Sequence, residues 1–475
     1  MNKVVIIGGG IAGLAAANAL DDKKDIVEYT LVEKDNRLGG KIITEIKDGF
    51  LFEGGPDCFL SEKPSVIRLT QKLGLESSLL GTNEKSKGTY VFSGDKLHAL
   101  PEGLMLLVPT KIIPFALSPL VSWPGKLRMG LDFILPRRKS DDDETLESFV
   151  LRRLGREALN KIAEPLIGGI HGGDPQTMSL KASFPRFLDM EKKNRSLIVA
   201  MLAARKYASR NKPRKQNLPD NIPKTYFMTF KKGMGELVEA LETNLKGRIL
   251  RGRAVTKVEK KENKYFVHIE KSEVLEADAL ILALPAPDAA ELMRPLDADI
   301  ARILDLIPMA SSATINVAYP RKAIPGPLNS FGFLIPYVEQ RKINAVTYSS
   351  VKWDYRVPDK DYVLFRTFVG GAKNSHLARE SEETILQWIK DEFKHILGIT
   401  MNPVMASVYR WLDARPQYTL GHLDRIETIE QRLANLTGIY LAGGSYRGIG
   451  VPDCIKDGIK AAEDALQFLD HDSLT

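Results

Sequence analysis

Chemistry is legible first where glycines are spaced to let a backbone approach phosphate. Gly8, Gly10 and Gly13 stand at the G-x-G-x-x-G spacing, with Gly9, Ile11 and Ala12 between them. The first glycine of such a pattern allows a tight turn, the second a close approach to pyrophosphate, the third close packing of helix on strand. The N–H groups opening the next helix then face the phosphates. Glu33 follows Gly13 at the distance where a carboxylate meets a ribose hydroxyl. A second glycine block lies near the other end of the chain. There Gly443-Gly444 closes an apolar run from Gly438, and Gly450-Val451-Pro452 precedes a helix carrying Gly458, Ala461 and Ala465. This block too would turn backbone N–H groups toward a bound phosphate. No Ser-His-Asp or Cys-His arrangement stands out as a nucleophile with its base. The two cysteines, Cys58 and Cys454, lie beside the glycine motifs and read as small buried thiols. Two cysteines build neither a disulfide framework nor a Cys-based metal site, so no metal is expected.

These residues need elements to hold them. Val4–Ile7 reads as a strand, Leu14–Ala17 as helix and Leu31–Val32 as a second strand. The run Ala279–Leu284 is continuously apolar, as a strand buried on both faces would be. It looks like a return to the nucleotide-binding unit, which would then be discontinuous. Val255–Val258 and Lys264–Ile269 read as strands, the second with clear alternation. Ser312–Tyr319, Gly332–Pro336 and Tyr362–Val369 read as a separate sheet, followed by an amphipathic helix from Ser381 to Leu397. A helix after Pro64 shows Val66, Leu69, Leu73 and Leu75 on one face, and Tyr90–Phe92 with Lys96–Pro101 forms a hairpin. The acidic loop Asp141–Thr145 enters a helix expected to run through Leu159 to Pro165, closed by Gly168–Pro175. The stretch Leu104–Leu135 is apolar, broken by Pro109, Pro114, Pro119 and Pro124, and closed by Pro136-Arg137-Arg138. It fits a helical cap on the protein's own core, a pocket wall, or a peripheral membrane patch with basic flanks. Lys212-Pro213-Arg214-Lys215 reads as part of a surface loop.

The chain has 475 residues, 44% apolar and 27% charged, enough for two or three globular domains. A formal charge of +7 favours anionic partners. Basic and aromatic residues are not interleaved as a nucleic-acid groove requires, so nucleic acid is excluded. No signal peptide and no charge-free run long enough to span a membrane is seen, so a cytoplasmic protein is expected.

The run Glu33-x-x-x-Arg37-x-Gly39-Gly40, with Glu53-Gly54-Gly55-Pro56 after it, resembles the FAD signature of the monoamine-oxidase-like flavoprotein superfamily. By that resemblance the dinucleotide is FAD. Its contacts would come from Gly8, Gly9, Gly10, Ile11, Ala12, Gly13, Glu33, Lys34, Arg37, Gly39, Gly40, Lys41, Gly54, Gly55, Pro56, Asp57, Val255, Trp411, Gly443, Gly444, Gly450, Val451 and Pro452. The whole chain is similar to the protoporphyrinogen/coproporphyrinogen oxidase family, most of all to its Gram-positive coproporphyrinogen branch. Gly55-Pro56-Asp57, Leu97–Pro101, Gly169–Asp174, Ser183-Phe184-Pro185, Asn194–Leu197, Pro416-Gln417-Tyr418 with Gly421-His422, and Gly448–Asp453 carry this likeness.

The resemblance implies an α/β and α+β fold of three modules. A discontinuous Rossmann-like FAD-binding domain would comprise residues 1–58, 226–305 and 425–475. A mixed-sheet substrate-binding domain would comprise 59–89 and 306–424, and a helical, membrane-binding-like domain 90–225. It implies a six-electron oxidation of coproporphyrinogen III to coproporphyrin III in haem biosynthesis. O2 would be the acceptor and H2O2 the product, with hand-over to the next pathway enzyme. The flavin carries the chemistry and aromatisation drives it, so no protein base is required and no catalytic residue is assigned. Covalent attachment in amine oxidases uses a Cys in the stretch matching Arg415–His422, which has none here, so FAD is expected to be non-covalent. Substrate propionates need donors, and Lys63 and Arg195 are the candidates. His171 would line the pocket in place of an aromatic residue, and Gly88-Thr89 lacks the basic residue of the protoporphyrinogen enzymes. Rival expectations are a protoporphyrinogen oxidase, an amine oxidase, a carotenoid desaturase, and a porphyrin carrier with structural FAD.

Overall fold

The computed structural model describes residues 1–472 except Lys87, Glu102, Leu106, Thr110 and residues 211–221. Five parallel strands form one sheet, in the order Arg248–Leu250, Val27–Val32, Asn2–Ile7, Ala279–Leu282 and Ile439–Leu441. Val4–Ile7 and Ala279–Leu282, in its two central strands, are apolar at every position because both faces are covered. Val4, Ile6, Ala279 and Ile281 join the core beneath helices Ile11–Leu20 and Val451–Asp472. Val5, Ile7, Leu280 and Leu282 join the core on the other side, under the three-stranded sheet 255–277 and helix Ala286–Met293. The two long helices pack closely because a methyl group at Gly458 would collide with the Ala12 carbonyl. The nucleotide-type unit is discontinuous, as Ala279–Leu284 suggested.

Strands Met405–Pro416, Met309–Pro320, Tyr362–Gly370, Ala345–Tyr348, Gly332–Leu334, Tyr90–Ser93 and Lys96–Ala99 form a second, seven-stranded sheet in that order. Helix Glu382–Leu397 covers it, opened by Ser381, whose hydroxyl accepts from the Thr384 N–H. Two expected boundaries move. The hairpin 90–99 belongs to this sheet and not to the helical module, because Tyr90 and Val91 pair with Phe333 and Leu334. Residues 59–81 pack with the nucleotide-type unit and not with the seven-stranded sheet. Phe59–Leu60 and Leu79–Gly81 flank Phe227–Phe230, and the apolar face of helix Pro64–Lys72 is buried against that core.

In the helical region the helix Leu146–Arg153 is capped by Thr145. It does not continue to Pro165 as expected. Gly155, at φ +90°, breaks it, because the chain must turn where a side chain would meet Arg128. The run resumes at Arg156 and ends at Gly172 in the left-handed region. The stretch Leu104–Leu135 has two faces. Leu107, Val108, Phe115, Leu120, Val121 and Met129 are buried, whereas Ile113, Leu117, Trp123, Leu127 and Ile134 are 66–77% exposed. Among the described residues no helix is long and apolar enough to cross a membrane. The basic run Lys212–Lys215 lies outside the described residues.

Candidate cofactor and substrate site

The glycine turn emerges from the central strand. Gly8 takes φ +106°, and a methyl group at Gly13 would collide with the Gly8 carbonyl, so both positions need hydrogen in place of a side chain. At Gly10 a methyl group would meet nothing within 4 Å, which leaves open space at the apex of the turn where a pyrophosphate belongs. Glu33 braces this turn by accepting from the Gly9 N–H at 2.6 Å and the Asp35 N–H at 2.8 Å. Its backbone is tied to Leu250 and Arg253, beside which Val255 packs. Lys34 points outward to Asp288, and Arg37 donates to the carbonyls of Leu38, Gly40 and Ile42, locking its own loop.

The other motifs close on the same place. The Gly39 N–H donates to the Gly9 carbonyl at 2.8 Å, and Gly55 lies directly against the Lys41 carbonyl. The Trp411 indole donates to the Gly54 carbonyl at 2.8 Å. The Tyr418 hydroxyl donates to the Gly444 carbonyl at 2.8 Å and accepts from the Gly448 N–H at 2.7 Å. His422 stacks on that tyrosine ring and meets the Tyr446 carbonyl at 2.9 Å. Tyr418 and His422 thus act as a buttress for the C-terminal glycine loop. Lys63 pairs with Asp453 at 2.6 Å, and the Ser65 hydroxyl donates to the Pro452 carbonyl at 2.6 Å, so the loop is held from that side too. The open apex at Gly10 and the converging glycine loops fit a dinucleotide.

Behind Gly54–Gly55 lies a buried charge cluster. Asp57 meets Lys352 at 3.3 Å, Arg366 at 3.1 Å and the Trp353 indole at 3.2 Å. Burial alone would push its carboxyl up, but these cations and the indole overcome that and hold it well below the usual range. Asp57 is therefore locked into the domain junction, and Arg366 also donates to the carbonyls of Glu53 and Gly55. Burial pushes both cysteine thiols up to about 12. Burial pulls Lys41 down; its ammonium donates to the Ala414 carbonyl. Arg415, next in the strand, is pulled down to about 10 by burial and by the Arg366 charge. Sequence reasoning missed Lys352, Trp353, Arg366 and Arg415. An acid directly after Gly-Gly-Pro signals a need for cations, but nothing in the sequence says which of 67 lysines and arginines supply them.

The substrate candidates separate. The helix bearing His171 ends beside the sheet, where the Ala372 N–H donates to the Gly172 carbonyl at 2.9 Å; the His171 side chain lies outside what is described. A small cleft of about 40 Å³ opens there, lined by Glu164, Gly172, Gly173, Tyr337 and Lys373 among others. Lys63 adjoins the glycine loops through Asp453. Arg195 donates to the Phe133 carbonyl at 3.1 Å, and its own carbonyl accepts from Arg153 at 2.9 Å. These partners all belong to the helical region, and its exposed apolar face lies alongside.

The family model for flavin-containing amine oxidoreductases matches residues 11–466. The chain is 37% identical to coproporphyrinogen III oxidase of Bacillus subtilis (strain 168), over 98% of each chain. It is 32% identical to human protoporphyrinogen oxidase, again over 98% of each. A crystal structure from Exiguobacterium sp. 255-15, assigned by its name to the protoporphyrinogen oxidases, superposes with TM-score 0.86 at 30% identity, covering 98% of this chain and 99% of that one.

Proposed function

The chain belongs to the flavin-containing amine oxidoreductase family, and from that premise we propose that it oxidises coproporphyrinogen III to coproporphyrin III in haem biosynthesis. O2 is the acceptor and H2O2 the product. The observation that carries this reading is the extent of the likeness. Identity to a coproporphyrinogen III oxidase runs over 98% of both chains, so the helical and sheet regions are shared as well as the glycine loops.

Bound FAD supplies the two-electron acceptor chemistry. The chain's own residues bind and orient. Gly8–Gly13 and the Tyr418-braced loop hold the dinucleotide without a covalent bond, since Arg415–His422 offers no thiol and neither cysteine is a thiolate at neutral pH. Lys41, Lys352, Arg366 and Arg415 make the adjoining interior cationic, with Asp57 neutralising part of the charge. Such an interior attracts a carboxylate-bearing porphyrinogen and repels a protonated amine, which argues against an amine-oxidase role. Lys63 and His171 are the proposed substrate contacts; Arg195 belongs to the helical surface. That surface, with Ile113, Leu117, Trp123, Leu127 and Ile134 beside Lys111, Lys126, Arg137 and Arg138, suits shallow contact with an anionic bilayer on the cytoplasmic side.

Anaerobic mixing of the holoprotein with coproporphyrinogen III tests the reading. Rapid bleaching of the flavin absorbance, reversed by air with release of coproporphyrin III, is expected. Porphyrin binding without bleaching would make the protein a carrier. A higher kcat/KM on protoporphyrinogen IX would move the assignment to that substrate.

A further inference from the structure

We propose that Asn316, Arg366 and Trp411 are positioning residues: from three neighbouring strands of the seven-stranded sheet they hold the loop Glu53–Gly55 by its backbone carbonyls, and so fix the flavin relative to the substrate. The proposal rests on the flavin and porphyrinogen reading above and adds which groups set the alignment between the two.

The sheet turns one face to the hairpin formed by Thr44–Lys47 and Phe50–Glu53. On that face Ala318 and Leu364 pack against Phe50 and Phe52. Two residues further along each strand the apolar pattern stops. Asn316 and Arg366 stand directly opposite each other and are only 1% and 5% exposed. Burying an amide and a guanidinium is costly unless their donors are used. Here the donors are aimed at backbone. The Asn316 amide donates to the Glu53 carbonyl at 3.1 Å, and Arg366 Nε donates to the same oxygen at 3.2 Å. Arg366 Nη2 donates to the Gly55 carbonyl. Trp411, opposite Ser312 on the edge strand, donates its indole N–H to the Gly54 carbonyl at 2.8 Å. Three consecutive carbonyls are thus held by three strands, and the ion pair of Arg366 with Asp57 at 3.1 Å extends the grip.

The loop is also pressed against the cofactor turn. A methyl group at Gly54 would sit 2.6 Å from the Tyr409 ring, and one at Gly55 would sit 1.7 Å from the Lys41 carbonyl. A methyl group at Gly40 would in turn lie 3.1 Å from Gly10 Cα, at the open apex of the turn. The Gly54–Gly55 peptide is trans, which sets its N–H opposite to its C=O. With the Gly54 carbonyl turned to Trp411, the Gly55 N–H therefore points away from the indole. Sheet, loop and dinucleotide turn form one continuous contact. A porphyrinogen bound against the sheet would meet the flavin at a distance that these hydrogen bonds set, and misalignment of that kind slows a transfer more than it weakens binding.

The test uses Trp411→Phe, which keeps an aromatic ring and removes the indole N–H, and Asn316→Leu, which keeps the volume and removes the amide. Each is expected to slow anaerobic flavin reduction by coproporphyrinogen III, and kcat with it, about tenfold, and the double variant more. KM, and the FAD Kd from titration of the apoprotein, should stay within about threefold of wild type. Visible circular dichroism of the bound flavin should change shape, because the ring then sits differently against its surroundings. Dithionite needs no alignment with the sheet and should reduce every variant at the wild-type rate. Wild-type kcat in both single variants overturns the proposal. So does a rise in KM at constant kcat, which would make these groups substrate contacts, and so does loss of FAD affinity with full kcat at saturating FAD, which would make them cofactor anchors only. Slow reduction by dithionite also overturns it, since the flavin itself would then be altered. If coproporphyrinogen III does not reduce the wild-type flavin, the porphyrinogen reading fails, whereas altered dichroism in the variants would still support the grip on the flavin.

Discussion

Glu53 offers the most direct physical test of the domain junction. Its side chain is 3% exposed, and its two oxygens accept from the Met234 N–H and the Thr44 hydroxyl, both at 2.7 Å. Burial pushes the carboxyl from its ordinary 4.5 up to about 7. The folded protein therefore binds this proton more tightly than the unfolded chain does. The associated stability is fully present below pH 4.5 and is lost as pH rises through 7. A shift of about 2.5 units at 1.36 kcal/mol each corresponds to roughly 3 kcal/mol lost by pH 8. Glu53→Gln removes the titration and keeps both contacts, the amide oxygen accepting from Met234 and the amide N–H donating to the Thr44 oxygen. The variant should match wild type near pH 5 and exceed it at pH 8 by up to about 3 kcal/mol. Urea unfolding of the holoprotein at both pH values measures the difference. Equal midpoint changes at pH 5 and pH 8, or a variant weaker at pH 8, would refute the assignment of a neutral buried carboxyl.

Tyr418→Phe removes the hydroxyl that bridges Gly444 and Gly448 and should weaken FAD binding by about 1–3 kcal/mol; FAD titration of the apoprotein reads the change. Asp132→Ala leaves the buried Arg153 with Glu191, at 3.5 Å, as its remaining carboxylate, and should cost about 3 kcal/mol in denaturant unfolding, with Asp132→Ala/Arg153→Met recovering part of it. Lys63→Ala breaks a half-exposed pair with Asp453, so stability should fall by less than about 1 kcal/mol while KM for the porphyrinogen rises at constant flavin content. Vesicles rich in anionic lipid should blue-shift Trp123 emission in protein whose other three tryptophans are replaced by phenylalanine. Leu117→Glu/Leu127→Glu should abolish that shift, and neutral vesicles should give little.

Local rules made the cofactor turn legible. Gly8 and Gly13 are needed at fixed spacings by sterics, Gly10 leaves the apex open, and Glu33 and the apolar Ala279–Leu284 run follow from the same unit. The return of distant segments was also readable, because a strand buried on both faces must have a partner on each side. The module boundaries were less so. Residues 59–81 carry an amphipathic pattern that says one face is buried but not against which core, and only the pairing with Phe227–Phe230 decides it. As an isolated arginine Arg195 reads as a hydrogen-bond donor to a carboxylate, and in the fold its left-handed backbone and its bond to the Phe133 carbonyl hold it within the helical region. Arg366, Lys352 and Arg415 left no local signature, since their meaning comes from Asp57 and Gly172, far away in the chain.

The strand order of the nucleotide sheet bears on how the protein is made. Asn2–Ile7 leaves the ribosome long before its neighbour Ala279–Leu282 and the sheet edge beyond, Ile439–Leu441. The helix that packs on Ile11–Leu20 begins only at Val451. The growing chain must therefore carry an unpaired apolar strand edge through most of its synthesis, a state prone to association and a natural client for chaperones. The flavin cannot template early folding, because its two glycine loops are synthesised at opposite times. Chains cut short before Val451 should retain none of it, which makes yellow colour a marker of translation past that point.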